Sequence, residues 1–270
     1  MKWGIVCISK VKKSLSLAKE VYEFLLEHGD VFVERTFAEK LHLKEYTLQD
    51  VGNKADIVVT IGGDGTIIRT LDAVDKPVFA INSGGMGFLA EVESKYALDG
   101  LQRVIDGNYN IEERAKLKIM LDEKRLPDAT NEMTVQTARI AKILYLHLFV
   151  EDELFETLGA DGIIVATPTG STSYALSVGG PLVDPMVNAM IVAPLAPFRL
   201  SARPWVVPLS KTIKVKLLPK SKETKLVIDG HHSESITPEN NITVTGSENK
   251  ARFIRFGETF YQMVRLKLVR

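Results

Sequence analysis

The stretch Asp56-Ile57-Val58-Val59-Thr60-Ile61, running straight into Gly62-Gly63-Asp64-Gly65-Thr66, decides the fold. A short apolar run rich in β-branched residues reads as a strand buried on both faces. The glycines that follow let the backbone turn tightly and approach a ligand without side-chain obstruction. Residues 67–74 can then form a short helix before Pro77. The unit recurs: residues 78–81 read as a strand that ends in Asn82-Ser83-Gly84-Gly85-Met86-Gly87. Upstream, residues 3–9 read as a buried strand. Leu15, Ala18, Tyr22 and Leu25 keep helical spacing, Gly29 is a stop signal, and residues 31–33 read as a second strand. Residues 94–105 read as another helix. Strands alternating with helices predict a parallel, helix-covered sheet, whose ligands sit at the carboxyl ends of the strands.

Beyond Tyr109 the period changes to two. Leu117-Lys118-Ile119, Ile213-Lys214-Val215-Lys216-Leu217, Ile242-Thr243-Val244 and Val264-Arg265-Leu266-Lys267-Leu268 all alternate, as antiparallel strands with one wet face do. The fold expected is an α/β N-terminal domain with a parallel sheet, residues 1–108, and a mostly antiparallel β domain, residues 109–270. The last segment of the second is able to return to the first. The chain has 270 residues, 45% hydrophobic and 25% charged, with 34 basic and 34 acidic side chains. Zero net charge gives no global field for nucleic acid or an anionic membrane. No apolar run reaches the roughly 18 residues of a membrane span. The start Met1-Lys2-Trp3-Gly4-Ile5 lacks a signal peptide's apolar core, so a cytoplasmic protein is expected. The single cysteine, Cys7, excludes an internal disulfide and lies in an apolar run.

Four places carry chemistry. At residues 62–66, backbone N–H groups and a helix N-terminus suit phosphate. Asp64 there can accept a proton from an attacking hydroxyl, help hold Mg²⁺, or simply cap the helix. Gly85-Met86-Gly87-Phe88-Leu89-Ala90 formally matches G-x-G-x-x-A, but it follows a late strand and opens no clear helix. It reads better as a glycine loop closing over a ligand. Asn131-Glu132 precede Met133-Thr134-Val135 and can bind ribose hydroxyls or metal-bound water. The fourth place is a strand from Asp161-Gly162 to Ala166. It runs into Thr167-Pro168-Thr169-Gly170-Ser171-Thr172-Ser173-Tyr174 and a short helix ending near Gly179-Gly180. Its hydroxyls can cap that helix or read polar ligand edges. No GxSxG elbow, Walker loop, HExxH or Cys-paired zinc spacing occurs.

GGDGT alone is shared with kinases of lipids and of sugar phosphates. GGDGT, a G-x-G-F-L loop, an Asn-Glu pair and DGIIVATPTGSTSYALSVGGP, in this order, resemble the NAD kinases. Met190-Ile191-Val192-Ala193-Pro194 and Leu200-Ser201-Ala202-Arg203-Pro204 are similar to that family's following segment. The resemblance implies phosphoryl transfer from ATP or polyphosphate, with Mg²⁺ or another divalent metal, to the 2′-hydroxyl of the adenosine ribose of NAD. It implies Asp64 as the catalytic carboxylate. Gly65, Asn131, Glu132, Asp161, Thr172, Ser173, Tyr174 and Ser177 would contact NAD, in part across a subunit contact. Gly62, Gly63, Thr66, Gly85 and Gly87 would contact the donor. It also implies a homotetramer. The chain departs from the family at Ser173, where many members carry alanine, at Gly85, and at His231 after Asp229-Gly230. Two other readings of the residues stay open: a lipid or sugar-phosphate kinase with the same cradle, and a non-catalytic NADP sensor.

Overall fold

The computed structural model describes residues 1–8, 12–84, 87–139, 142–199, 201–221, 223–257 and 260–268. The chain divides into two compact units, one of Met1–Glu113 with Ala251–Arg270, the other of Arg114–Lys250. The second unit is thus inserted into the chain of the first.

The first unit is α/β. Its strands are β1 (Lys2–Val6), β2 (Asp30–Glu34), β3 (Glu45–Tyr46), β4 (Ile57–Gly62), β5 (Val78–Asn82) and β6 (Val92–Glu93). Between them lie α1 (Lys12–Leu26), α2 (Arg35–Leu41), α3 (Leu48–Lys54) and α4 (Asp64–Ala73), and α5 (Ala97–Ile105) follows. The parallel order is β3-β2-β1-β4-β5. Both faces are covered, which is why β4 reads as an unbroken apolar run. Ile57, Val59 and Ile61 join Trp3, Ile5, Phe37 and Leu101 in one core cluster, while Val58 joins Val6, Val51, Ile67 and Leu71 in the other. Connections from β1 leave to β2 on one side, and β4 lies on the other, so the strand order reverses at β1 and β4. Such a switch point leaves a crevice at the carboxyl ends of the two strands. The glycine turn that follows Ile61 opens there.

The second unit is antiparallel. The chain enters it along β7 (Asn110–Leu121) and continues through β8 (Lys124–Arg125), β9 (Glu132–Thr137), β10 (Leu144–Val150), β11 (Glu153–Ala160) and β12 (Gly162–Ala166). A short helix, α6 (Tyr174–Ser177), precedes β13 (Ala189–Leu195), β14 (Trp205–Pro208), β15 (Ile213–Leu217), β16 (Thr224–Ile228) and β17 (His232–Ile236). The chain leaves along β18 (Ile242–Arg255), and α7 (Phe260–Lys267) ends the described chain in the first unit. One sheet runs β14-β13-β12-β9-β16-β17, and β11-β10-β15-β18 pair beside it in sequence. Leu144, Leu146, Leu148, Val215 and Leu217 form one core with Met133, Val135, Ile163 and Val165. The alternate residues of β12, Ile164 and Ala166, pack instead with Ala175 of α6, so the hydroxyl-rich segment is anchored to the other face of that strand.

Three expectations change, and one stretch carried none. Residues 264–268, expected as a strand, lie in or just beyond α7. Met263, Leu266 and Lys267 line one cavity, the i, i+3, i+4 spacing of a helix face; five alternating residues are too few to separate the two periods. The first strand stops at Val6 rather than residue 9, which lies outside the described residues. The stretch between β2 and β4 holds α2, β3 and α3, which no clear period announces. The helix after the glycine turn begins at Asp64 itself, three residues before its apolar face starts.

Candidate active site

In the first unit the site is built on α4. Gly63 is its N-cap and supplies no side-chain cap. The start of the helix therefore keeps backbone donors and a positive dipole end for an anion. A Cβ on Gly63 or Gly65 would meet nothing within 4 Å, so these glycines leave open space above the turn. Gly62 differs: a Cβ there would lie 2.6 Å from Thr66 Oγ1, so this glycine serves packing. Asp64 is half-buried, and its carboxylate accepts the N–H of Phe88 at 2.8 Å and of Leu89 at 3.3 Å. A Cβ on Gly87 would fall 2.4 Å from Asp64 Oδ1. The two glycine segments predicted from sequence therefore meet, with Asp64 as the link. Two accepted bonds leave an ionised carboxylate further lone pairs for a ligand hydroxyl or a cation. Gly85 lies outside the described residues.

In the second unit the site centres on Asn131 and Glu132. Asp229 sits in the hairpin turn between β16 and β17, with φ 46° followed by Gly230 at 72°. A type I′ turn demands positive φ at both positions, which Asp and Gly tolerate. The turn aims the Asp229 carboxylate at the chain entering β9. It accepts the N–H of Thr130 at 2.6 Å, of Asn131 at 2.8 Å and of Glu132 at 2.8 Å. On the other side Thr167 donates its hydroxyl to Thr130 O at 2.7 Å and its N–H to Asn131 O at 2.8 Å. Gly170 passes so close that a Cβ would lie 2.3 Å from Asn131 O.

This rigid frame buries polar atoms that find no protein partner: Asn131 Oδ1, Glu132 Oε2 and Thr169 Oγ1. Buried polar groups are normally paired, and several orphans in one frame mark a place where a ligand supplies the partner. Burial, and after it the charge of Asp229, push the Glu132 carboxyl up to about 7. The Ser173 hydroxyl, 3.4 Å from Oε1, and the Tyr174 N–H pull the other way. A further hydroxyl donating to Oε2 would also favour the ionised form.

Ser173, Tyr174 and Thr172 cluster at the carboxyl end of β12 with Glu132, which pairs with Ala166. Thr172 is held by Thr169 O at 3.3 Å, and Ser177 donates to Tyr174 O at 2.8 Å on the exposed face of α6. Asp161 is exposed at the opposite end of β12, beside Thr137. Five strand steps put it about 16 Å from Ala166, so Asp161 does not belong to the frame around Glu132. Sequence reasoning includes Thr167 and Thr169 in the hydroxyl-rich stretch without a separate role, and leaves Asp229 and Thr130 out of the site. Asp229-Gly230 was visible as a turn, but nothing in the sequence ties it to residues a hundred positions upstream.

A helix start open to an anion with a carboxylate beside it, and elsewhere a buried amide–carboxylate frame short of hydroxyl donors, are features that a kinase of a nucleoside-like acceptor would need. Comparison with known proteins takes this further. Residues 3–109 match the family model of the ATP-NAD kinase N-terminal domain, and residues 130–256 that of the ATP-NAD kinase C-terminal domain. An NAD kinase of Methanothermobacter thermautotrophicus is 42% identical over 100% of this chain and 96% of its own length. One of Thermococcus kodakarensis is 42% identical over 99% of each. The crystal structure of an NAD kinase from Archaeoglobus fulgidus in complex with ATP superposes with a TM-score of 0.82 at 27% identity, covering 98% of this chain and 99% of that one. Yeast NADH kinase complexed with NADH shares the fold, with a TM-score of 0.92 at 24% identity over 98% of this chain and 86% of that one. The chain belongs to the NAD kinase family and is a phosphotransferase.

Proposed function

We propose that the chain transfers the γ-phosphoryl group of ATP to the 2′-hydroxyl of the adenosine ribose of NAD, making NADP, with the two sets of residues described above in separate roles. The observation that carries this is the frame of buried orphan acceptors at Asn131 and Glu132. A ribose presents adjacent hydroxyl donors, which an amide oxygen and a carboxylate oxygen can each accept. Thr172, Ser173, Tyr174 and Ser177 read the nucleoside beside them. Asp161, remote from Glu132 along β12, would serve a dinucleotide bound to a second copy of the chain. On the other unit, Gly63, Thr66, Gly85 and Gly87 would accommodate the donor phosphates and Gly65 the ribose, with Gly62 shaping the turn by packing on Thr66.

The attacking hydroxyl holds its proton at neutral pH. Asp64 orients that hydroxyl and accepts the proton as the oxygen bonds to phosphorus and the bond from phosphorus to the bridging oxygen of ADP breaks. Among the described residues no three His, Cys, Asp or Glu side chains converge on one point. Mg²⁺ in phosphoryl-transfer sites is held through one or two carboxylates and the substrate's own phosphates. Asp64 would be the carboxylate that holds it, and a bound ion would supply charge neutralisation on the donor. ATP and NAD as substrates also favour a cytoplasmic location, where both are held.

The reading is tested by incubating the purified protein with NAD and Mg²⁺ and either ATP or polyphosphate, followed by an NADP-specific assay. NADP formed with ATP supports it, and the polyphosphate arm sets the donor range. No NADP above a boiled control with any donor or divalent metal overturns it; NADP binding without ATP turnover would indicate a sensor.

A further inference from the structure

The loop that meets Asp64 is fastened from behind by a buried ion pair. Arg255, at the end of β18, donates Nη1 to Leu89 O at 3.1 Å and to Glu91 Oε2 at 3.0 Å. Its Nε lies 3.4 Å from Glu112 Oε1, and its guanidinium covers the ring of Phe253 at 4.7 Å. The other oxygen of Glu91 accepts the N–H of Phe256, and the Glu91 N–H donates to Ala80 O of β5 at 2.8 Å. The side chains are 11% exposed at Arg255 and 3% at Glu91. Leu89 therefore gives its N–H to Asp64 and its carbonyl to Arg255, while its own side chain is buried. The position of one residue is fixed jointly by the carboxylate in front and the guanidinium behind.

We propose that Arg255 and Glu91 are positioning residues for the transfer step: they hold residues 88 and 89 so that the two N–H groups set the angle of the Asp64 carboxylate. The proposal rests on the reading of Asp64 as the proton acceptor. A planar fork is needed, because three acceptors lie around one guanidinium; the lysine ammonium is a compact point charge that cannot reproduce that geometry. A misplacement of about 1 Å at a reacting group costs on the order of 10²-fold in rate.

The test is a pair of double-mutant cycles in the full chain. Arg255→Lys and Glu91→Gln should each lower kcat about 10- to 100-fold, with KM for NAD changed less than about twofold. In an Asp64→Asn background the same substitutions should lower kcat by no more than about twofold, because the group they position is gone. Equal factors in both backgrounds, or no loss in either, overturn the proposal. If Arg255→Lys unfolds, as its melting curve would reveal, Glu91→Gln decides, since it keeps the side-chain size and the bond from Phe256. Wild-type kcat in Asp64→Asn alone overturns the underlying role of Asp64, which is a separate failure.

Discussion

At the scale of the residue, Asp64 and Glu132 are carboxylates in opposite settings. Asp64 is half-buried and accepts two backbone N–H groups, with capacity to spare. Asp64→Asn keeps the size but cannot act as a base. Its kcat should fall roughly 10²- to 10⁴-fold, with NAD affinity and melting temperature little changed; steady-state kinetics, NAD titration and a melt on one preparation check this. Glu132 is buried and its carboxyl is raised from 4.5 to about 7. Between those values the folded chain keeps a proton that the unfolded chain has released. Stability present below pH 4.5 is therefore lost as pH rises through about 7, by about 3 kcal/mol. Glu132→Gln should match the wild type in denaturant stability at pH 5 and exceed it at pH 8. An equal gap at both pH values would show that Glu132 does not titrate this way. Residue types at Asp64, Asn131 and Glu132 were legible in the sequence because each stands in a short motif. Asp229, Arg255 and Glu91 were not, because hydrogen bonds across the fold leave no local pattern.

At the scale of the element, the legible parts were those with a long or doubly buried period. β4 and α4 could be read from one stretch, because burial on both faces makes a strand continuously apolar and the glycine turn separates it from the helix. β12 was equally plain, packing into one core by Ile163 and Val165 and holding Ala175 by Ile164 and Ala166, whereas the four-residue α6 was marked by the hydroxyls before it and the glycines after it. β3 has two residues and α3 has seven, too few for a period to emerge. The helix α3 is set instead by a capping box, with Thr47 and Asp50 bonding each other's backbone N–H. The tight approach of the turn after β12 to β9 yields a prediction at this scale. Gly170→Ala would drive a methyl onto the backbone of Asn131, which cannot move aside as a side chain would. Overpacking of this kind costs about 1–3 kcal/mol. Melting temperature should drop and KM for NAD should rise, because the shifted backbone carries Asn131. A drop in melting temperature with KM unchanged would separate this glycine from the dinucleotide site.

At the scale of the whole molecule, the second unit exposes large apolar side chains: Phe198 is 79% exposed, and Trp205 and Val206 lie exposed on β14, an edge strand. Edges and patches of this kind are covered in stable proteins by a partner. These surfaces are available for self-association, and the family resemblance implies a homotetramer. Light scattering at assay concentration should give four times the monomer mass, and Trp205→Glu should lower both mass and activity. A fully active monomer would refute the assembly. The change of period near residue 109 was legible, and so was a last segment able to return to the first unit; the exact route of the chain was not, since β7 and β18 alternate on both sides of the points where units change. That route matters during translation. Phe253 and Ile254 are fully buried in the first unit, yet they are synthesised after the whole of the second. While the ribosome is still adding residues 114–250, the nascent α/β half must wait with one flank of its core open. The inserted half is contiguous in the chain and closes its own core cluster without borrowing a residue from the other half.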